Sequence, residues 1–272
     1  MSLHKSLPIQ SSMRGCIAQG NNIIYWLNES DWRFKEEPDI TYVDLTVSGT
    51  THTIVDSRFS DLCYEGAYLK IYNEINNEIH NVVCKIASIN TNTHTATLET
   101  TNELTNLRLT SGVTVVEFGS VLNGYDGTVR VYCPGFYIKS VINGDTYAVW
   151  ISTVRIDNTY VYQKEILVDA YRSTILNTVP SNMGYLSTLP VNSAISVVNT
   201  HDYCRGGGNR SAYDAYLATE PCRSDLGKPI TNMSRDTMRT YSRNAGSEML
   251  SYLEYKNIFY WLYVIEYANF NC

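Results

Sequence analysis

Residues 233–272 constrain the fold more than any other stretch of the chain. Ser251-Tyr252-Leu253-Glu254 has the form of a capping box, in which the Ser251 hydroxyl accepts a backbone N–H and Glu254 reaches back to the cap. Leu250 and Tyr255 stand at the two flanking hydrophobic positions. After the cap, Ile258-Phe259-Tyr260-Trp261-Leu262-Tyr263-Val264-Ile265 leaves no polar side to a helical wheel. A helix apolar all round is a buried helix. About eighteen residues at about 1.5 Å each make it about 27 Å long, enough to cross a domain. The uninterrupted apolar part is too short, and too close to charges, to span a membrane. Its walls are therefore expected from the preceding residues, from another chain, or from a continuation beyond Cys272. A shorter helix precedes it, capped by Ser234, running from Arg235 to about Asn244 and stopping at Gly246.

At 272 residues the chain has room for two domains, or for one large domain with a smaller one appended. Charged residues make up 18% and there are 22 tyrosines, a balance that suits β-structure and adhesive surfaces. The net charge of -6, with no clustered basic face, argues against nucleic-acid binding. The seven cysteines (Cys16, Cys63, Cys84, Cys133, Cys204, Cys222, Cys272) are irregularly spaced with no Cys-x-x-Cys pair, which predicts reduced, mostly buried thiols in a protein made in a cytoplasm. Met1 to Gln10 carries no apolar core, so a secretory signal peptide is not expected.

Residues 1–37 read as an N-terminal arm or linker, with Ile23-Ile24-Tyr25-Trp26-Leu27 as a strand or tail docked on a neighbour. Residues 38–120 turn to β periodicity. Strands are expected around 40–55, at Ala67–Tyr72, Val82–Ile89 and Thr95–Thr100, with a polar turn over Asn73–Glu78 and Val113–Phe118 closing a small antiparallel barrel or sandwich. A second β region follows, with strands at Thr128–Tyr132, Phe136–Val141, Thr146–Ile151 and Glu165–Tyr171 and a hairpin signal at Asn143-Gly144. Beyond Val179-Pro180 a long polar connection leads to the helices.

Three segments carry a resemblance. Asp126-Gly127-Thr128-Val129-Arg130-Val131, Pro134-Gly135-Phe136-Tyr137-Ile138-Lys139 and Trp150-Ile151-Ser152 resemble a recurring pattern of phage and prophage tail proteins. Ser234-Arg235, Arg239, Arg243-Asn244-Ala245-Gly246 and Tyr260–Asn271 are similar to the helical part of the same proteins. There these segments open a C-type-lectin-like domain, of the kind shared with formylglycine-generating enzymes and retroelement variable proteins. The resemblance covers roughly 121–272. It implies an α+β chain, with an antiparallel β module followed by the first half of a C-type-lectin-like domain with two C-terminal helices. The other half of that domain, which carries the family's ligand-facing positions, has no counterpart here, so the ligand-binding residues stay unknown. The function implied is that of a non-enzymatic virion protein made in the bacterial cytoplasm, a tail-fibre or tail-tip component for host attachment. Its partners are other tail proteins, further copies of itself in a homo-oligomer (three, by analogy with phage fibres), and a bacterial surface glycan or protein receptor. The other classes are a glycan-binding adhesin, host-side or prophage-encoded, and a tail-associated carbohydrate-active enzyme.

No catalytic residue, metal site or cofactor is assigned. Gly206-Gly207-Gly208-Asn209-Arg210 lacks the Gly-Lys-Ser/Thr continuation of a phosphate loop and reads as a turn-rich loop. His201, Cys204 and Cys222 are one ligand short of a zinc set. Ser152 has no evident general base. Arg235, Arg239 and Arg243 share a helix face that reads as ion-paired, with Asp236 or Glu248. Asn28-Glu29-Ser30, Asn209-Arg210-Ser211 and Asn232-Met233-Ser234 match the glycosylation pattern, which means little without a secretory route.

Overall fold

The computed structural model describes residues 12–60, 65–181, 183–197, 204–205 and 233–262. Antiparallel strands dominate and helices are few, an α+β chain at the coarse level.

The first two strands, β1 (Arg14–Gln19) and β2 (Asn22–Trp26), form a hairpin whose turn places Gly20 at a φ of 57°. The strand expected at residues 23–27 is present as β2, and its hairpin docks through β1 onto β9 in the second half of the same chain.

Residues 39–118 close a six-stranded barrel. Its strands are β3 (Asp39–Ser48), β4 (Thr51–Val55), β5 (Tyr68–Ile75), β6 (Glu78–Asn90), β7 (Thr95–Leu98) and β8 (Gly112–Phe118). The order around the barrel is β3-β4-β7-β6-β5-β8, and β8 closes it by pairing with both β3 and β5. Three hairpin-linked strands followed by a fourth returning beside the first is a Greek key. Alternate residues point inward, so Val43, Leu45, Ile54, Leu69, Ile71, Ile86, Leu98 and Val116 fill the centre. A short helix, α1 (Asn102–Asn106), starts where the Thr101 hydroxyl accepts the Leu104 N–H and adds Leu104 to the same core. The polar turn expected over 73–78 is tighter than the composition indicates. Asn76 and Asn77 adopt φ of 56° and 64°, a pair of left-handed residues that matches strand twist, and both strands run up to them.

The remaining strands are β9 (Thr128–Cys133), β10 (Phe136–Asn143), β11 (Thr146–Ser152), β12 (Val161–Gln163) and β13 (Ile166–Asp169), then β14 (Thr174–Leu176), β15 (Ser193–Ile195) and β16 (Cys204–Arg205). They make a four-stranded sheet ordered β13-β9-β1-β2, a three-stranded sheet β11-β10-β12, and a small sheet β15-β14-β16. The connection expected to be polar after Pro180 is partly structured: Leu186, Leu189, Ile195, Val197 and Cys204 bury together with Leu176.

Two helices follow. The first, α2 (Arg235–Asn244), is capped by Ser234, whose hydroxyl accepts the Thr237 N–H, and the chain turns out at Gly246 with φ 68°. The second, α3 (Tyr252–Glu254), carries the full capping box and continues as a π-helical stretch over Tyr255–Leu262. Burial is reached at Asn257 and Ile258. The first turn is not enclosed, since Tyr252 and Leu253 are 80% and 61% exposed. Ile258 packs with Cys133, Phe136 and Ile138 under the β10 sheet. The Trp261 side chain and residues 263–272 lie outside the described residues.

Candidate functional site

The Asp126–Val131 motif does its work inside the fold. The buried Asp126 carboxylate accepts the Tyr25 hydroxyl at 3.0 Å, and the Asp126 carbonyl accepts the Gln19 amide at 2.9 Å. Burial raises the Asp126 carboxyl above the ordinary range. A Cβ on Gly127 would lie 2.6 Å from the Ala18 carbonyl oxygen, and the Thr128 hydroxyl donates to that same oxygen. Arg130, 3% exposed, pairs with Asp169 at 3.1 Å and donates to the Gly20 carbonyl and the Ser247 hydroxyl. Desolvation pushes the Asp169 carboxyl up, against the pull of Arg130. Every one of these contacts ties the β1–β2 hairpin, β9, β13 or the segment after α2 together.

A cleft of about 680 Å³ opens beside Arg130, between β13 and residues 247–250. Of its charged wall residues Arg130, Asp169, Arg172 and Glu248, the first two are committed to each other and Glu248 to Arg243. Three other candidates resolve into structural roles. Arg239 pairs with Asp236 at 3.3 Å and Arg243 with Glu248 at 2.6 Å. Cys16, Cys84, Cys133 and Cys204 are buried, and burial pushes the first three thiols up to about 11, 12 and 11. The Ser152 hydroxyl accepts the Val154 N–H at 3.2 Å. His201, Cys222 and the run 206–210 lie outside the described residues. Among the described residues no group of three His, Cys, Asp or Glu side chains is placed to hold a metal.

A different surface collects binding chemistry. Pairing in the β11-β10-β12 sheet sets Tyr137 opposite Ser152 and Tyr162, Lys139 opposite Trp150, and Val141 opposite Ala148. Residues opposite one another share a face, and alternation sends Phe136 and Ile138 to the core and Tyr137 and Lys139 to the other side. On that outer face Trp150 and Tyr162 are 45% and 51% exposed, and the Tyr137 and Tyr162 rings are 5.1 Å apart. The Lys139 ammonium stands 5.6 Å from the Trp150 ring centre and 5.7 Å from that of Tyr160, within 3.8 Å of Asp157. The Thr159 hydroxyl, the Thr159 backbone N–H and Lys139 hold the Asp157 carboxyl below its ordinary range. The Tyr162 hydroxyl lies over Gly135 and donates to Glu165 at 2.9 Å, which raises the phenol. The result is a shelf of ring faces flanked by a cation and a carboxylate. Spacing on β10 and β11 carried the signal for it: Tyr137, Lys139, Trp150 and Ser152 alternate with apolar neighbours. Tyr162 gave none, because a three-residue strand is too short to show a period.

Comparison of the chain with protein-family models, curated proteins and solved structures returns no match.

Proposed function

We propose that this chain is a structural protein of a tailed-phage virion, a tail-fibre or tail-tip component that binds a glycan of the bacterial surface without catalysis. In this reading residues 121–272 are the first half of a C-type-lectin-like domain, and the barrel attaches the chain to neighbouring tail proteins. The observation that carries it is the outer face of the β10 sheet. Exposed ring faces stack on the C–H faces of sugars, and Lys139 with Asp157 supplies a donor and an acceptor beside them. Each such contact is weak, and repetition across copies in a particle supplies the avidity. The segments that carried the resemblance support the reading in a second way, since they include Tyr137, Lys139 and Trp150 of the shelf, while Thr128 and Arg130 organise the neighbouring β13-β9-β1-β2 sheet.

The test is the composition of purified particles from the phage or prophage that encodes the chain, read by mass spectrometry and by antibody labelling in the electron microscope. Peptides of this chain in the particle, with label at the tail, are the expected result. Absence from the particle overturns the virion assignment and leaves a free adhesin built on the same aromatic face.

A further inference from the structure

We infer that β11 pairs antiparallel with β11 of a second copy of this chain, about a two-fold axis at Val149. The sheets of this molecule leave few long edges open. The barrel has none, because it is closed. The edge of β2 is covered near its end, where Glu36 and Asn28 exchange backbone bonds with Trp26 and Phe34. The edge of β13 is four residues long and faces the segment 248–250. The exception is β11, seven residues long at the end of its sheet, with no described strand on its far side.

An open edge is a template for pairing, and monomeric proteins blunt such edges with charge, proline or a bulge. Thr146-Tyr147-Ala148-Val149-Trp150-Ile151-Ser152 carries no charged residue and no proline, and its register with β10 runs unbroken from Asn143↔Thr146 to Tyr137↔Ser152. The two-residue loop makes Asn143 and Thr146 a hydrogen-bonded pair, so by alternation Val149 and Ile151 direct their backbone N–H and C=O groups to the open side.

The sequence is self-complementary about Val149. Antiparallel pairing of two copies sets Val149 opposite Val149, Ala148 opposite Trp150, Tyr147 opposite Ile151 and Thr146 opposite Ser152. Small meets large, aromatic meets β-branched and hydroxyl meets hydroxyl, with no like charges opposed. The same register brings the exposed hairpin loop carrying Asp145 over the exposed segment carrying Arg155 of the other copy, once at each end. That charge match, repeated by the two-fold, favours a second copy over an unrelated strand. The pairing yields one six-stranded sheet, on which the aromatic shelves of both copies share a face.

This inference stands apart from the proposed function, because its test needs only the purified full chain. Sedimentation equilibrium should give twice 30.8 kDa at micromolar concentration. Hydrogen exchange should show the Val149 and Ile151 amides protected in the dimer and released on dilution. Ala148→Lys places two lysines at diagonal positions on one face, about 7 Å apart across the axis at the backbone, so like charges crowd the pairing. It should weaken self-association by about 100-fold. Arg155→Asp should weaken it too, and Asp145→Arg added to Arg155→Asp should restore it, a rescue that misfolding cannot imitate. A monomeric wild-type chain overturns the inference. So does a three-fold assembly, or any oligomer that ignores Ala148→Lys and the charge exchange.

Discussion

Arg130 is the residue whose loss the fold should feel most. Its guanidinium is almost fully enclosed and serves Asp169, Gly20 and Ser247 at once, so removing it strands a partly buried carboxylate, a backbone carbonyl and a hydroxyl. Arg130→Ala should lower stability by about 3–5 kcal/mol in denaturant unfolding, and Arg130→Lys should recover part of this, since an ammonium keeps the charge and loses the planar fork. Asp56 offers a pH-dependent counterpart. Arg58 grips its carboxylate at 2.8 and 3.0 Å and holds it below the ordinary value of 3.8. A folded-state value below the unfolded one gives stability that is present above about 3.8 and lost as pH falls through the folded value. Asp56→Asn should therefore cost about 1–2 kcal/mol at neutral pH and flatten the fall in stability below pH 3.8. Wild-type and variant curves that run parallel through that window would refute the assignment. The sequence foretold the burial of the thiols at Cys16, Cys84, Cys133 and Cys204. It did not foretell Arg130 as a node, because all three of its partners are distant in sequence.

Element boundaries were legible wherever local chemistry sets them. Ser234 and Ser251 cap as their sequences require, and Ser251→Ala should cost about 1 kcal/mol because the reciprocal bond from the Ser251 N–H to Glu254 rests on the same turn. The barrel strands were legible for a similar reason, since inward and outward residues alternate between identifiable turns. Of the N-terminal hairpin only the strand at residues 23–27 was legible, and not its partners. Its strands are short, flanked by charge, and gain their place from Val129 and Thr128 over a hundred residues away, a relation that periodicity does not encode. Gly127 reports that relation directly: Gly127→Ala drives a methyl against the Ala18 carbonyl and should cost about 2–4 kcal/mol, detected as a lowered unfolding midpoint. The helical run after Ser251 shows the limit of a wheel. The run apolar all round begins only at Ile258, which is buried, and its further side chains lie outside the described residues; the turn before it leaves Tyr252, Leu253 and Tyr255 exposed.

At the scale of the molecule, the closed barrel meets the segment that follows the β1–β2 hairpin, where the Lys70 ammonium, held by Glu117, stands 4.3 Å from the Phe34 ring centre and the Ser120 N–H donates to the Arg33 carbonyl at 2.7 Å. That joint holds the barrel to the chain just beyond β2, and the motif around Asp126 fixes the hairpin within the β13-β9-β1-β2 sheet, whose Val131, Cys133, Ile166 and Val168 pack against the sheet that carries the aromatic shelf. The shelf itself was half legible, in the alternation of β10 and β11, while Tyr162, Asp157 and their geometry depend on a strand and a loop that no local pattern marks. Rigid support of exposed rings is the central element of the account. The direct measurement is a calorimetric titration of the purified chain with surface polysaccharide of the bacterium in which the chain is encoded, alongside Trp150→Ala and Tyr162→Ala. The account predicts binding by the wild-type chain, at least about tenfold weaker binding by either variant, and unchanged unfolding midpoints, because both rings are about half exposed. Equal binding by all three proteins, or none by the wild type, would contradict it.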